Sequence, residues 1–433
     1  MTILVDLSDV GIAIGEPSGA KNRIPGYVFL PNDGEPIFGK EAVAAAKLHP
    51  TRINNRFWAD LNTEPCSPSH PKVRHHADLA WFYLKHLMAE LGNANVTFIV
   101  PSSYDAQTLQ LLAGVCQTLE IEVTGFIDRA VATCLTHIDS SSSFVHVDLQ
   151  QHQTLLTFLE VENNELRKVG VEQISANGLA RLQDRWLHIL RQRFISSSRF
   201  DPMHSGDTEQ QLFSQLNELP SVVDAKKFQF AIALDEQNLQ ESFSEDELSQ
   251  PYEDLYAEIK GKTEGSPMVF DNAFNSVPGF KTDYNVQLAP SEAPFIGAKN
   301  ILGDNPDSSS GVAYFSSGKL SNSADTDVNT APKTGYDDTE SLATHVLLNG
   351  FAYPSNHYNI ELNGSGLSVS LAESDNSHIR LSNQKLELGT RGAELNLNQS
   401  TGAEGDVLRP GDLLSLEDAP EVVTAIAIGE MKK

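Results

Sequence analysis

Two stretches of the chain share one pattern of apolar and polar positions. Residues 3–15 read I-L-V-D-L-S-D-V-G-I-A-I-G, and residues 144–158 read F-V-H-V-D-L-Q-Q-H-Q-T-L-L-T-F. Each is an apolar strand ending in Asp-Leu, a short turn and a second apolar strand, which predicts a β-hairpin at both places. After the first hairpin, Tyr27–Leu30 predicts a further short strand. Asp78–Leu91 is apolar at Leu79, Phe82, Tyr83, Leu87 and Leu91, a helical stripe with Gly92 at its expected stop. Thr97–Val100 and Glu122–Ile127 read as strands, and between them Leu109, Leu112, Ala113, Cys116 and Leu119 mark one face of a helix. Around the second hairpin the pattern predicts strands at 144–148, 153–160 and 166–171. A long helix follows, with Leu182, Trp186, Leu190 and Phe194 on one face. The recurrence of this order at a spacing of about 140 residues predicts two related α/β halves with a ligand-sized cleft between them.

Residues 196–220, rich in Ser and Gln, read as a loop. Ser244-Glu-Asp-Glu247 is a capping-box pattern that opens a helix through Ile259. Met268–Phe270 and Asn285–Ala289 predict strands, and Ser291–Ile301 a short helix. Residues 303–341 are dense in Ser, Asp, Asn, Thr and Gly and predict a disordered acidic linker. From 342 to 433 only short alternating runs follow, which predicts a small all-β, sandwich-like module.

Composition narrows the function classes. The 433 residues carry a net charge of −27, which disfavours nucleic acid and anionic membrane surfaces as partners. Three widely spaced cysteines, Cys66, Cys116 and Cys134, make no disulfide framework and suit a reducing, cytoplasmic setting. No basic, apolar leader opens the chain, and no apolar run reaches the roughly 20 residues that span a bilayer. Cys66, His70, His75 and His76 fit no familiar metal-ligand spacing and read as loop residues among prolines. Gly364-Ser365-Gly366 reads as a hairpin turn. No Walker A, Gly-x-Ser-x-Gly or His-Glu-x-x-His motif is present.

Residues 1–302 resemble the ATPase domain of the DnaK-type heat-shock chaperones, a member of the actin-like superfamily. The resemblance rests on Ile24-Pro-Gly-Tyr-Val-Phe-Leu with Gly39-Lys-Glu-Ala-Val-Ala-Ala-Ala, on Val100-Pro-Ser-Ser-Tyr-Asp-Ala-Gln with Leu111-Leu-Ala-Gly-Val-Cys-Gln-Thr-Leu-Glu-Ile-Glu-Val, on Asp128-Arg-Ala-Val-Ala-Thr-Cys-Leu, on Asp224-Ala-Lys-Lys with Phe228–Leu234, and on Ser276-Val-Pro-Gly-Phe. It implies a duplicated ribonuclease-H-like α/β fold with halves of about 1–140 and 141–302 and a small insert subdomain at about 221–262. It implies also that Asp6 and Asp148 stand where family members organise Mg²⁺ through water, and that Arg56 stands near the catalytic lysine. Turn-capping is the competing role for Asp6 and Asp148.

The sequence departs from the family at each nucleotide loop. The first phosphate turn is Asp6-Leu7-Ser8-Asp9-Val10 where the family has glycine and threonines, so Asp9 would set a carboxylate beside a triphosphate. At about 4 Å and an effective dielectric near 20, each such repulsion is on the order of 4 kcal/mol. The second turn carries Gln150, Gln151 and His152 where glycines let backbone amides approach phosphate. The adenosine motif becomes Asn272-Ala273-Phe274-Asn275, with Phe274 placed to plug the base or ribose site. The C-terminal module resembles a forkhead-associated domain through Ile379–Leu388, Gly389-Thr-Arg-Gly-Ala and Val407-Leu-Arg-Pro-Gly-Asp-Leu-Leu-Ser-Leu. Asn349-Gly350 replaces the arginine-bearing motif that would read phosphothreonine. Together these features predict a non-hydrolysing, chaperone-like or scaffold protein that uses no cofactor and acts through an unidentified protein partner. The alternatives are a divergent chaperone that works with Mg-ATP and, third, an actin-like filament subunit.

Overall fold

The two repeated hairpins open two six-stranded mixed sheets that share the order of five strands and carry their sixth at opposite edges. The computed structural model describes residues 2–16, 19–91, 95–135, 143–221, 227–234, 237–282, 285–303 and 312–320. Further along it describes the strand segments between 345 and 426. The chain divides into two compact units, Met1–Thr326 and Asp327–Lys433.

The strands of the first unit's two sheets are β1 (Thr2–Asp6), β2 (Ile12–Glu16), β3 (Gly19–Ile24), β4 (Asn95–Val100), β5 (Val123–Asp128), β6 (Ser143–Leu149), β7 (Gln153–Glu162), β8 (Glu165–Ser175), β9 (Met268–Phe270), β10 (Val286–Leu288), β11 (Ala313–Phe315) and β12 (Ser317–Lys319). The first sheet runs β11–β5–β4–β1–β2–β3 and the second β10–β9–β6–β7–β8–β12. In each, three antiparallel strands adjoin parallel ones: β4 lies parallel to β1, and β9 parallel to β6. The central strands are apolar on both faces, as parallel strands covered by helices must be.

The α-helices longer than one and a half turns are α1 (His76–Leu91), α2 (Ala106–Thr118), α3 (Arg129–Cys134), α4 (Leu179–Ser198), α5 (Gly206–Asn217), α6 (Glu245–Thr263) and α7 (Ala293–Leu302). Each of α2, α3, α5 and α6 starts on a side-chain cap: Asp105, Asp128, Ser205 and the Ser244–Glu247 capping box. A hairpin, Lys227–Ala233 with Asn238–Ser244, joins α6 in a small subdomain around Phe228, Phe230, Ile232 and Phe243.

Three sequence expectations are corrected. Residues 196–220 are not a loop: α4 runs to Ser198, and α5 forms because Leu212, Phe213 and Leu216 share one buried face. Residues 65–75 pair as Pro65–His70 with Val73–His75; His70 is buried, its Nδ1 accepts from Lys72 N, and no metal-binding group occurs among the described residues. Residues 313–319, expected within the linker, form β11 and β12, because Tyr314 and Gly318 find docking surfaces on the two sheets. Gly92, residues 224–226 and 321–344, Asn349-Gly350 and Gly364-Ser365 lie outside the described residues.

The second unit is all-β among its described residues. Sheets of six and four strands bury Ile379, Leu386, Leu388, Leu395 and Leu414. No helix among the described residues is long and apolar enough to cross a membrane.

Helix α7 packs on α3 so closely that a Cβ at Gly297 would lie 1.8 Å from Ala132 O. Gly297→Ala is expected to cost about 1–3 kcal/mol or more in urea denaturation, because backbone must move. Gly114→Ala, on the open face of α2 with nothing within 4 Å, is expected to stabilise by up to about 1 kcal/mol. Equal effects of the two substitutions would contradict this packing.

Candidate functional site

Strands β1 and β6 end at the same side of the two sheets, and each ends on a buried aspartate. Asp6 closes β1, Asp148 lies one residue from the end of β6, and Asp271 follows β9. All three carboxylates converge on Arg129, the first residue of α3, which is 1% exposed. Arg129 Nε donates to Asp6 Oδ1 at 2.8 Å and Nη2 to Asp6 Oδ2 at 3.3 Å. Nη1 donates to Asp148 Oδ1 at 2.8 Å, and Nη2 also donates to Asp271 Oδ2 at 2.7 Å. Asp6 and Arg129 belong to the first half, Asp148 and Asp271 to the second, so the guanidinium rivets the halves together at the floor of the cleft.

Three carboxylates share one cation, and the electrostatics record the surplus. Burial disfavours a charged Arg129, but Asp271, Asp6 and Asp148 outweigh it and hold the guanidinium protonated. Burial opposes ionisation at Asp271 as well, yet Arg129 keeps that carboxyl below the usual range. At Asp148 burial dominates and pushes the carboxyl up, with Asp271 and Asp6 adding repulsion.

The two turns expected to hold phosphate instead hold each other. Asp9, 3% exposed, accepts from Gln151 N through Oδ1 at 2.8 Å. Its Oδ2 is buried with no hydrogen-bond partner among the described residues. Burial pushes the Asp9 carboxyl up to about 7; the Gln151 N–H works against this and the nearby Asp148 adds to it. Gln151 Nε2 donates to Tyr27 Oη at 2.6 Å, and His152 Nε2 lies 2.9 Å from Asn55 Oδ1. Burial lowers His152 to about 4, so the imidazole is neutral at pH 7. Gln150 Nε2 donates to Asp148 Oδ2 at 3.2 Å. The carbonyls of Gln150 and Gln151 accept from Leu179 N and Ala180 N, so the first amides of α4 are spent on protein. Gly178 permits this approach: a Cβ there would lie 2.4 Å from Gln150 O. Ser8 is buried in the first turn, where its carbonyl accepts from Gly11 N.

Of the other expected site residues, Asn272 adjoins Asp271 on the cavity wall and Arg56 lies near enough to His152 to help lower it, while Phe274 and Asn275 contact other groups. Arg56 is half-exposed and pairs with Asp60, four residues on, at 2.9 Å on the surface. Phe274 does not plug the cleft. It is fully buried, 4.7 Å from Phe270 and 5.7 Å from Phe280 between ring centroids, because apolar neighbours beneath the cleft give it better contacts. Asn272 donates to Ala289 O at 3.2 Å, and Asn275 accepts from Ser221 Oγ at 2.9 Å. A cavity of about 430 Å³ remains beside the cluster, walled by Ser8, Tyr27, Gln151, Trp186, Asp271 and Asn272 among others.

Arg129 and Asp271 were not singled out from the sequence. A signal existed: Arg129 is the lone cation between Ile127 and Cys134, and Asp271 follows an apolar run as Asp6 does. Among the described residues, Asp6 and Asp148 are both bonded to Arg129 and the first amides of α4 are bonded to carbonyls, so these groups do not fit the magnesium of Mg-ATP. No known protein family matches the sequence, and no curated protein matches it.

Arg129→Met should cost about 3–5 kcal/mol in urea denaturation, since three buried carboxylates lose their counter-charge. Arg129→Lys should recover part of this, because an ammonium cannot reproduce the forked geometry. A loss below about 1 kcal/mol for Arg129→Met would contradict the rivet.

Asp9 gives a second prediction. Its carboxyl is raised in the folded state, so its stabilising contribution is complete below about pH 4 and is lost as pH rises through about 7. Asp9→Asn keeps the Oδ1 acceptor and cannot ionise. It should flatten the stability–pH curve between about 4 and 7 and raise stability at pH 8 relative to the unsubstituted protein, by up to about 4 kcal/mol. Parallel curves for the two proteins would show that Asp9 does not carry this dependence.

Proposed function

We propose that this chain is a non-hydrolysing scaffold or chaperone-like protein built on the actin/heat-shock type of ATPase fold, with an appended β module for protein interaction. The single observation that carries this reading is the Arg129 guanidinium bound to Asp6, Asp148 and Asp271. The two carboxylates that would organise a divalent cation are bridged by a side chain of the protein itself. The five-strand order that the two sheets share supports the fold type.

The remaining cleft chemistry agrees with this proposal. Acyl, phosphoryl or hydride transfer each needs an activated group facing an accessible space. Here Asp9 is turned into the contact between the halves, His152 is neutral and bonded to Asn55, and the α4 amides are satisfied. Function would then reside in surfaces. The C-terminal β unit, which resembles a forkhead-associated domain without its phosphate-reading arginine, is the proposed partner-binding module. Free, buried cysteines suit a cytoplasmic protein.

Isothermal titration of the full chain with Mg-ATP and with Mg-ADP tests the proposal. No binding is expected. A dissociation constant below about 10 µM, near 7 kcal/mol of binding, would overturn it in favour of an active ATP-dependent chaperone.

A further inference from the structure

Nine residues at the end of the first unit pair with both of its sheets. Ala313–Phe315 lies parallel to β5 in the first half, registering Gly125 with Ala313 and Ile127 with Phe315. One residue later, Ser317–Lys319 lies antiparallel to β8 in the second half, registering Glu165 with Lys319. The junction is polar and tightly bonded. Lys168 Nζ, from β8, donates to Asp128 Oδ2 and to Tyr314 Oη, both at 2.6 Å, and Tyr314 Oη donates to Asp128 Oδ2 at 2.8 Å. Lys168 N donates to Ser316 O, and Asn164 exchanges hydrogen bonds with Leu320. Asp128 precedes Arg129 and is itself fully buried, accepting from Ser102 Oγ at 2.8 Å. The groups holding Tyr314 therefore come from both halves.

We propose that residues 312–320 are a clasp that docks only while the two halves are closed on each other, and that its release opens the cleft. Two consecutive trios of residues, separated by Ser316 alone, cannot stay paired with β5 and β8 if those strands move apart. An extended residue spans at most about 3.6 Å, so a single spacer absorbs little separation. The clasp also covers the outer edge of each sheet; undocking exposes both. The device requires no nucleotide, so it stands independently of the proposed scaffold function.

Backbone hydrogen exchange on the full chain tests it with two variants. A Cβ at Gly318 would lie 2.9 Å from Ile301 Cγ1 and 3.2 Å from Leu135 Cδ1, so Gly318→Val wedges β12 off without touching the Arg129 cluster. Tyr314→Phe removes the hydroxyl bonds to Lys168 and Asp128 and keeps the ring. Exchange over 313–319 is expected to accelerate about tenfold or more in Gly318→Val and less in Tyr314→Phe. The amide of Gln151, held across the halves by Asp9, is expected to accelerate in step. Faster exchange over 313–319 with unchanged protection at Gln151 in both variants would show a passive strand pair and overturn the proposal. Exchange over 313–319 at the unprotected rate in the unsubstituted protein would overturn it as well. Should Gly318→Val not fold, Tyr314→Phe alone decides by the same comparison.

Discussion

One guanidinium sets the arrangement of the cleft. Arg129 has no water to solvate it, and only the three aspartates around it make its burial tolerable. The converse holds equally: without Arg129, three carboxylates would face one another in a low-dielectric space. A buried ion cluster of this kind contributes little net stability compared with an apolar one, but removing one member is severe. Its effect is therefore on specificity of arrangement. Strands β1 and β6 and the end of β9 are fixed relative to α3, and with them the two halves.

The surplus of negative charge explains what surrounds the rivet. Asp9 cannot find a cation of its own, and its main compensation is the Gln151 amide from the opposite turn. Gln151 and His152 continue the contact to Tyr27 and Asn55. Asp9, Gln151 and His152 each bond across the halves. The Asp6, Asp148 and Asp271 carboxylates are thus bonded internally, which is the physical basis for proposing a binding protein over a catalyst.

Much of the architecture was legible because it rests on local pattern. The Asp-Leu hairpins, the capping box at Ser244 and the stripe of Leu182, Trp186, Leu190 and Phe194 all report one element each, and each element forms. The helix at Gly206–Asn217 was hidden by its polar composition, although Leu212, Phe213 and Leu216 carried the spacing. Strands β11 and β12 were hidden more thoroughly. They have three residues apiece, and their stability comes from partners more than 140 residues away in sequence. The site followed the same rule. Asp6, Asp9, Asp148 and the Gln150–His152 turn were legible from motif position, whereas Arg129 and Asp271 gain their meaning only through long-range convergence. Phe274 was misplaced because a sequence motif locates a residue without saying which way its ring turns.

The central claim is that Arg129 does the work of a divalent cation at this site. It is tested most directly by melting the unsubstituted protein and Arg129→Ala across a Mg²⁺ series at constant ionic strength. The account predicts a flat response for the unsubstituted protein, whose carboxylates are already engaged. It predicts a rising midpoint for Arg129→Ala, whose three vacated carboxylates attract the ion. A rise in the unsubstituted protein, or a flat response in both, would contradict it.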